Sequence, residues 1–399
     1  MSKIILRKGK EESLKRFHPW IFSGAILKTE GNPNDGDIVD VYSFDGKFIG
    51  CGHYQTGTIT VRVLSFDESA RKSNFWTDSL KKALTKRDIT GVTSNTNVTN
   101  AYRLVNGEGD NLPGLIIDYY NGAAVIQAHS TGMLKSLDKL AEALKFIYGN
   151  KLLSVYNKST MTAPERSKQS INDGYLIDGP NNAEILENGL SFKVNWEEGQ
   201  KTGFFLDQRD NRNLVKKYSE GKRVLNLFCY TGGFSIYALS GKALSVDSVD
   251  SSQKAVQMLD ENLKLNIEYG KIDKTTIHNS ICDDAIKFLK DSETGRYDLM
   301  IVDPPAFAKH RGAIGNALRA YQRLNASAIE KIAPGGIIFT FSCSQAIDKI
   351  SFAQAVFSAA ASVGRNVSII ERLNQPADHP VSIYHPEGEY LKGLVIYVE

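Results

Sequence analysis

The sequence is poor in cysteine and has no closely spaced cysteine pair. Its four cysteines, Cys51, Cys229, Cys282 and Cys343, are scattered over 399 residues and form no Cys-x-x-Cys motif. This spacing argues against a disulfide framework and against a thiolate zinc site. We therefore predict no metal centre and a location in the reduced cytoplasm.

Long apolar runs are also missing. No stretch approaches the roughly 20 residues that a membrane-spanning helix needs. The first eight residues lack the apolar core and small-residue cleavage site of a signal peptide. The sequence therefore predicts no membrane partner. Its length of 399 residues predicts two or three domains.

The net charge of +3 says little, but the first sixteen residues are rich in positive charge. Their basic residues are Lys3, Arg7, Lys8, Lys10, Lys15 and Arg16. A basic patch suits a nucleic-acid backbone, although a solvated surface explains the charge equally well. Residues 1–72 read as short strands with Asp-Gly turns at Asp35-Gly36 and Asp45-Gly46, which is typical of a small β-barrel.

The remainder of the chain divides by pattern into two further regions. Residues 73–190 mix helical and strand patterns and predict an α+β domain. Residues 191–399 alternate strands and helices, which predicts a doubly wound α/β sheet with a Rossmann-like fold. The predicted strands are 224–228, 243–249, 276–281, 297–302, 336–341, 368–372 and 394–398.

Two motifs follow predicted strands in this last region. Asp303-Pro304-Pro305-Ala306-Phe307 comes after one apolar run, and Cys343 comes after another. Ligands of open α/β sheets bind outside the carboxyl ends of the strands, so both motifs should lie at one edge. Cysteine is a strong nucleophile near neutral pH. A lone cysteine is otherwise a small buried hydrophobe, and the neighbouring motif favours the nucleophile.

A glycine turn and two acids complete the pattern. The turn Phe228–Gly232 joins a strand to a helix, but it lacks the Gly-x-Gly-x-x-Gly spacing of a dinucleotide site. Asp250 ends the second strand, where an acid can bind ribose hydroxyls; Asp247 lies earlier and competes with it. Asp250 or Ser251 is alternatively a helix cap. Asp283-Asp284 follows the third strand, where a side chain can reach an adenine amino group. One of the two is alternatively a helix cap, and Asp284 aligns better with the helix that follows.

This order of motifs resembles that of the class I S-adenosylmethionine-dependent methyltransferases. A closer resemblance is to the RlmI-type family of ribosomal large-subunit RNA cytosine-C5 methyltransferases. The matching stretches are HPWIFSG (18–24), LPGLI (112–116), EEGQKTGFFLDQR (197–209) with Asn211-Arg212, DPPAFAK (303–309), DHPV (378–381) and PEGEYLKGL (386–394). They extend from one end of the sequence to the other.

The resemblance implies an N-terminal PUA domain, a middle domain and a Rossmann-like catalytic domain, with S-adenosylmethionine as cofactor and ribosomal RNA as partner. It implies that Cys343 adds to C6 of the cytosine and that Asp303 holds the N3/N4 edge of the base. The expected cofactor-binding residues are Phe204, Asp207, Gln208, Phe228, Tyr230, Thr231, Gly232, Asp250, Ser251, Asp284, Asp303 and Pro304. The expected substrate-binding residues are Phe307, Lys309 and Arg311.

Some alternatives stay open at this point. Related enzymes with an Asp-Pro-Pro strand methylate a guanine nitrogen and need no thiol, so Cys343 is the discriminating residue. A non-catalytic RNA-binding assembly factor is a second alternative, which the intact motifs disfavour. Some cytosine-C5 methyltransferases carry a second cysteine at the position of Ala306, so the group that assists enzyme release is not identified. The sequence also leaves open whether two copies form a homodimer.

Overall fold

A computed structural model of the protein describes residues 2–169, 171–308 and 311–399, and the side chain of Arg311 is not described. The chain divides into two compact units, each made of three segments. The first unit comprises Met1–Leu186, Val194–Leu206 and Ala377–Gly388, and the second comprises Glu187–Lys193, Asp207–Pro376 and Glu389–Glu399. The three domains predicted at 1–72, 73–190 and 191–399 stay a prediction.

The first unit begins with a six-stranded sheet. Its elements are β1 (Lys3–Leu6), α1 (Glu12–Lys15), β2 (Trp20–Phe22), β3 (Ile26–Glu30), β4 (Ile38–Tyr42), β5 (Phe48–Tyr54) and β6 (Ile59–Ser65). The strand order is β2-β6-β5-β4-β1-β3, in which β1 and β4 are parallel. Alternating apolar side chains such as Ile4, Val39, Val41 and Val61 are fully buried, which gives this sheet its own core.

A five-stranded sheet follows within the same unit. Its elements are α2 (Phe75–Ile89), β7 (Ala101–Asn106), β8 (Leu115–Tyr120), β9 (Ala123–Ala128), α3 (Thr131–Leu134), α4 (Leu137–Tyr148), β10 (Ser154–Asn157), α5 (Glu165–Lys168) and β11 (Gly174–Ile177). The strand order is β11-β10-β9-β8-β7. Cys51 and Leu64 of the preceding sheet belong to the core cluster that contains Trp76 and Leu80. The two sheets of this unit therefore share apolar contacts.

The second unit contains a seven-stranded sheet and follows the hairpin β12 (Asn182–Glu187) and β13 (Leu190–Asn195) in sequence. Its elements are α6 (Arg209–Tyr218), β14 (Arg223–Leu227), α7 (Gly233–Ser240), β15 (Ser245–Asp250), α8 (Gln253–Glu268), β16 (Ile277–Cys282), α9 (Ala285–Asp291), β17 (Leu299–Val302), α10 (Ile314–Lys331), β18 (Gly336–Ser342), α11 (Lys349–Val363), β19 (Val367–Asn374) and β20 (Lys392–Val398). All seven predicted strands are present, and their ends differ from the predicted ones by at most two residues. The predicted fold class is confirmed.

The topology of this sheet fixes where its functional groups lie. The strand order is β16-β15-β14-β17-β18-β20-β19. The strands from β16 to β18 are parallel, while β20 is antiparallel to both β18 and β19. The chain order reverses at β14, which lies between β15 and β17. Crevices form outside the carboxyl ends of strands at such switch points, so the ends of β14, β15, β17 and β18 are expected to frame the site.

A buried ion pair stabilises the second unit. The Glu187 carboxylate is fully buried and accepts hydrogen bonds from Arg212 Nε at 2.8 Å and Nη2 at 2.7 Å. The Tyr237 hydroxyl donates to the same carboxylate at 3.0 Å. Because Arg212 lies on α6 and Tyr237 on α7, the carboxylate links these two helices.

The longest described helix of the protein carries several charged side chains. The longest, α10, has 18 residues and carries Arg319, Arg323, Glu330 and Lys331. No helix in the described part of the chain combines the length and apolarity that crossing a membrane requires.

Candidate active site

The turn after β14 is held in an unusual backbone conformation. Phe228, Tyr230 and Gly232 have φ angles of 59°, 47° and 80°. A Cβ atom at Gly232 would lie 2.4 Å from Cγ of Leu259, so the position requires glycine for packing as well as for φ. Three left-handed residues in one turn keep this segment from continuing as a regular helix.

Contacts with neighbouring elements keep this turn in place. The Asn262 side chain on α8 donates from Nδ2 to the Thr231 carbonyl at 3.0 Å. The Cys229 N–H donates to the Val249 carbonyl at 3.0 Å. The Cys229 side chain is buried, and burial raises the pKa of its thiol far above the usual value. Cys229 therefore remains a protonated thiol and is a poor nucleophile.

Asp250 and Asp247 have different surroundings. One Asp250 oxygen accepts from the Tyr230 N–H and the other from the Ser252 N–H, each at 2.9 Å. These bonds fix the carboxylate at the carboxyl end of β15 beside the glycine turn. Asp247 is buried and accepts from the Tyr297 hydroxyl at 2.6 Å and from Arg296 Nη2 at 2.7 Å. Asp247 thus has a structural role, which favours Asp250 for a ligand.

Two polar residues near the predicted cofactor site, Ser252 and Asp284, are helix caps. Ser252 caps α8, since its side chain accepts from the backbone N–H of Ala255. Neither Asp250 nor the exposed Ser251 is the capping residue, and the predicted ligand role of Ser251 remains a prediction. Asp284 caps α9 by accepting from the Lys287 N–H at 2.8 Å. The capping role considered for Asp284 is therefore present, and its cofactor role remains a prediction.

The Asp303 carboxylate belongs to a polar chain that begins on α6. Gln208 Nε2 donates to Asp303 Oδ2 at 2.9 Å, and Asn211 Nδ2 donates to Gln208 Oε1 at 2.6 Å. The Tyr390 hydroxyl donates to Asp207 Oδ2 at 2.7 Å. The FLDQR segment thus supplies the residue that orients Asp303, a role that the sequence analysis did not assign to Gln208.

Ser344 joins the loop after β17 to the loop after β18. Its hydroxyl oxygen accepts from the Ala308 N–H at 3.2 Å and lies 3.3 Å from the Ala308 carbonyl, to which it can donate. The Ser344 N–H lies 3.3 Å from the Ser342 hydroxyl. Cys343 lies between these two serines in sequence, and its side chain is half-buried. The Asp303 loop and the cysteine loop are therefore fastened together at one edge of the sheet.

Lys392 is a buried cation that the sequence analysis missed. It begins β20 opposite Ser342 and is only 4% exposed. Its ammonium group donates to the carbonyl oxygens of Ser344 at 2.6 Å and Ile347 at 2.5 Å, and so it clamps the segment that follows Cys343. The signal in the sequence that could have revealed this residue is a lysine at the start of the apolar strand KGLVIYV.

The electrostatics of Lys392 connect it to the thiol. Burial lowers the pKa of Lys392 to about 8. The negative charges of Cys343, Asp348 and Glu389 oppose this effect, and the neighbouring Lys349 adds to it. Below about pH 8 the side chain is a cation beside the cysteine loop, and a nearby cation favours a thiolate.

The structure describes only one of the three predicted substrate-binding side chains, that of Phe307. Phe307 is half-buried, and its ring centroid lies 4.7 Å from that of Tyr321. The core contact considered as an alternative for Phe307 is therefore present, and stacking on a base remains a prediction. Lys309 and the side chain of Arg311 lie outside the described residues.

Two predicted cofactor residues lie in different units. Pro304 is buried in the second unit directly after Asp303, where its ring limits the freedom of the loop. Phe204 belongs to the first unit, where its side chain is buried and its carbonyl accepts from the Tyr120 hydroxyl at 3.3 Å. Cofactor contacts by these residues remain predictions.

Two family models match this chain. Residues 103–392 match the model of the S-adenosylmethionine-dependent methyltransferases, and residues 4–66 match that of a PUA-like domain. The chain belongs to the S-adenosylmethionine-dependent methyltransferase family. The predictions of a methyltransferase, of its cofactor and of an N-terminal PUA-like domain are confirmed.

Relatives of this methyltransferase are similar over nearly their whole length. The ribosomal RNA large subunit methyltransferase I of Aeromonas hydrophila subsp. hydrophila is 40% identical over 400 residues, which is 98% of each chain. The protein of the same name from Escherichia coli (strain SMS-3-5) is 36% identical over 402 residues, 99% of each chain. The crystal structure of SMU.776 complexed with SAH has a TM-score of 0.82 at 24% identity and covers 100% of both chains, which shows a shared fold.

The crevice of this methyltransferase fits S-adenosylmethionine. The Asp250 carboxylate is held beside the turn from Phe228 to Gly232, which permits a close approach to the backbone. Its contact with ribose hydroxyls remains a prediction. The cofactor carries no phosphate, which agrees with the lack of a longer glycine cradle. When bound, it supplies an electrophilic methyl group.

Replacing Asp250 by alanine is expected to weaken S-adenosylmethionine binding by about 1–3 kcal/mol, because ribose hydroxyls would lose a charged acceptor. Isothermal titration calorimetry measures the loss. Asp291→Ala is a matched control, since Asp291 is an exposed acid at the end of α9. Equal affinity in the two variants would exclude Asp250 from the ribose site. Thermal melting tests whether the glycine turn survives the substitution.

Proposed function

We propose that the protein transfers a methyl group from S-adenosylmethionine to C5 of a cytosine in large-subunit ribosomal RNA. The observation that carries this proposal is the fastening of the Cys343 loop to the Asp303 loop through Ser344. A nitrogen methyltransferase needs no thiol beside its acid. The names of the similar proteins support large-subunit ribosomal RNA as the substrate.

In the proposed reaction the Cys343 thiolate adds to C6 of the cytosine. This addition forms a C–S bond and turns C5 into an enamine-like carbon, which takes the methyl group as its bond to the sulfonium sulfur breaks and S-adenosylhomocysteine leaves. A base then removes the C5 proton, and the electron pair of that C–H bond restores the C5–C6 double bond as the thiolate leaves. Nucleophilic catalysis of this kind divides one difficult substitution into easier steps.

Asp303 is assigned to the N3/N4 edge of the cytosine. Gln208 holds its carboxylate by a bond of 2.9 Å, so the acid has a fixed direction before RNA binds. A preoriented acid can stabilise the positive charge that N3 gains when C6 is attacked. The base has to leave its stack to reach this crevice, as in other enzymes that modify bases.

Lys392 is assigned as a positioning residue for Cys343. Lys392→Met is expected to move the acidic limb of the pH profile of kcat/KM to higher pH, because the thiolate loses a neighbouring cation. The rates of variant and wild type should converge above about pH 8, where Lys392 itself becomes neutral. Lys392→Arg should restore part of the profile.

Lys349→Met is the matched control for this prediction. Lys349 lies in the same region, is 45% exposed and pairs with Glu389 at 2.6 Å. A loss of rate in Lys392→Met with the acidic limb unmoved would mean that Lys392 only holds the loop.

The N-terminal sheet is assigned to RNA capture. Lys8 and Lys10 are exposed, and their joint replacement by glutamate should weaken RNA binding most at low salt. The slope of log affinity against log salt should fall by roughly 0.7–0.9 per lost phosphate contact. Deleting residues 1–72 would be a poorer test, because Cys51 and Leu64 belong to the core cluster that continues into α2.

The control for this charge reversal is the pair Lys274→Glu and Lys290→Glu, which changes the net charge equally in the second unit. Both lysines are exposed. Filter binding across a salt series compares the two double variants. Identical slopes would show that the basic start of the chain is only solvated surface.

Mapping of ribosomal RNA by mass spectrometry tests the proposed substrate. Cells without this protein should lack one 5-methylcytosine of the large-subunit RNA, and the wild-type gene should restore it. Loss of a methylguanine instead would favour the nitrogen-methylating alternative. Unchanged methylation would favour the assembly factor. The cytoplasmic location and the homodimer remain predictions.

A further inference from the structure

A buried histidine in the first unit has no hydrogen bond that would explain its position. His385 lies in the segment Ala377–Gly388 and is 1% exposed. Among the residues that the structure describes, neither of its ring nitrogens has a hydrogen-bond partner. Buried polar groups normally have partners, and each exception requires an explanation such as a bound ion.

Two further side chains that can bind a metal, those of His18 and Glu387, lie close to His385. His18, His385 and Glu387 each offer one atom, and these three atoms lie within 4.8 Å of one another. His385 Nε2 and Glu387 Oε2 are 3.9 Å apart. Two atoms that each lie about 2.1 Å from one ion can be at most about 4.2 Å apart. The three ligand atoms therefore need only a small movement to bind one ion together, and the 57% exposed side chain of Glu387 permits it.

One tautomer of His18 suits a metal ligand. Its Nδ1 lies 3.2 Å from the Trp20 backbone nitrogen, from whose N–H it can accept, and 3.3 Å from the Trp20 carbonyl, to which it can donate. With the proton on Nδ1 the carbonyl accepts it and Nε2 keeps its lone pair, an arrangement that is typical of metal-binding histidines. The Trp20 ring packs on His385 with centroids 4.3 Å apart and covers one side of the cluster.

We propose that His18, His385 and Glu387 bind one divalent transition-metal ion, for which Zn²⁺ is the best match. Two imidazoles and one carboxylate form a three-ligand zinc set with a position left for water. The sequence prediction of no metal rested on the cysteines and did not consider histidines from distant parts of the chain. The ion would tie the segment Ala377–Gly388 to the residues that precede β2.

A contact with RNA bases is the competing use of this cluster. The exposed rings of Phe17, Phe22 and Tyr384 lie close in space or sequence to the histidines and would suit stacking. His385 is too buried to reach a base, whereas a small ion can be enclosed. The burial of His385 therefore favours the metal.

Titration of the full-length protein with Zn²⁺ after chelator treatment tests the site. One equivalent should bind, and Co²⁺ should give the visible absorption of a four- or five-coordinate site. His385→Ala should abolish uptake, and Glu387→Gln should weaken it roughly tenfold or more. Zn²⁺ should raise the melting temperature of the wild type but raise that of Glu387→Gln less. Glu389→Gln is the control, because Glu389 pairs with Lys349.

Either of two outcomes overturns the proposal. One is the absence of stoichiometric Zn²⁺ or Co²⁺ uptake by the wild type. The other is equal uptake by the wild type and by Glu387→Gln, a substitution at an exposed side chain that leaves the core intact. If His385→Ala or Glu387→Gln weakened RNA binding in metal-free buffer with no metal bound by the wild type, the cluster would be an RNA contact instead. None of these results depends on methyl transfer, so they leave the proposed function untouched.

Discussion

Replacing Cys343 by alanine is expected to abolish methyl transfer, with a loss of several orders of magnitude in rate, while the binding of cofactor and RNA is retained. Cys229, the cysteine beside the glycine turn, cannot replace it, because burial keeps its thiol protonated. Radiolabelled methyl transfer to ribosomal RNA measures the rate. Calorimetry and filter binding measure the two affinities.

Trapping of the covalent complex gives a second readout of the same step. RNA with 5-fluorocytosine at the target should remain joined to the wild-type enzyme, since fluorine cannot leave as a cation. Cys229→Ala is the matched control and should stay active and trappable. Methylation by Cys343→Ala, or trapping through Cys229, would contradict the mechanism and favour methylation of a nitrogen.

Replacing Arg212 by methionine is expected to destabilise the second unit by about 3–5 kcal/mol, because it leaves the carboxylate of Glu187 buried without its bidentate partner. Glu187 is fully buried, and the side chain of Arg212 is 3% exposed. The shift of the urea midpoint of this unit measures the loss.

Two variants sharpen the stability test. Arg223→Met removes an exposed ion pair with Asp298, and it should cost only about 0–1 kcal/mol. Combining Arg212→Met with Glu187→Gln should recover part of the stability, because the buried charge of Glu187, left with the longer Arg209 contact at 3.6 Å, is then gone. An equal cost for Arg212→Met and Arg223→Met would show that water reaches Glu187.

Local patterns were sufficient to predict the sheet and one edge of the site. β17 and β18 are short apolar runs, so their ends can be located from sequence. Asp303 lies directly after β17, and Asp250 is the last residue of β15. The choice of Asp250 over Asp247 also followed from position, and the hydrogen bonds of Asp247 support it.

Contacts between distant segments could not be predicted in this way. Lys392 reaches the Ser344 carbonyl across 48 residues, through an antiparallel strand pair that no local pattern identifies. Ser344 reaches Ala308 across 36 residues. The pairing of His385 with His18 depends on a segment that returns to the first unit.

The position of β20 has a consequence for folding. β20 follows β19 in the chain but lies between β18 and β19, so β19 cannot join the sheet until β20 has docked. Until then the backbone N–H and C=O groups on one edge of β18 have no strand partner, and such an exposed edge promotes aggregation. Docking of β20 also brings Lys392 to the carbonyl of Ser344. A partly folded intermediate would therefore lack the cation beside Cys343, and a reactive thiol would arise only when the sheet is complete.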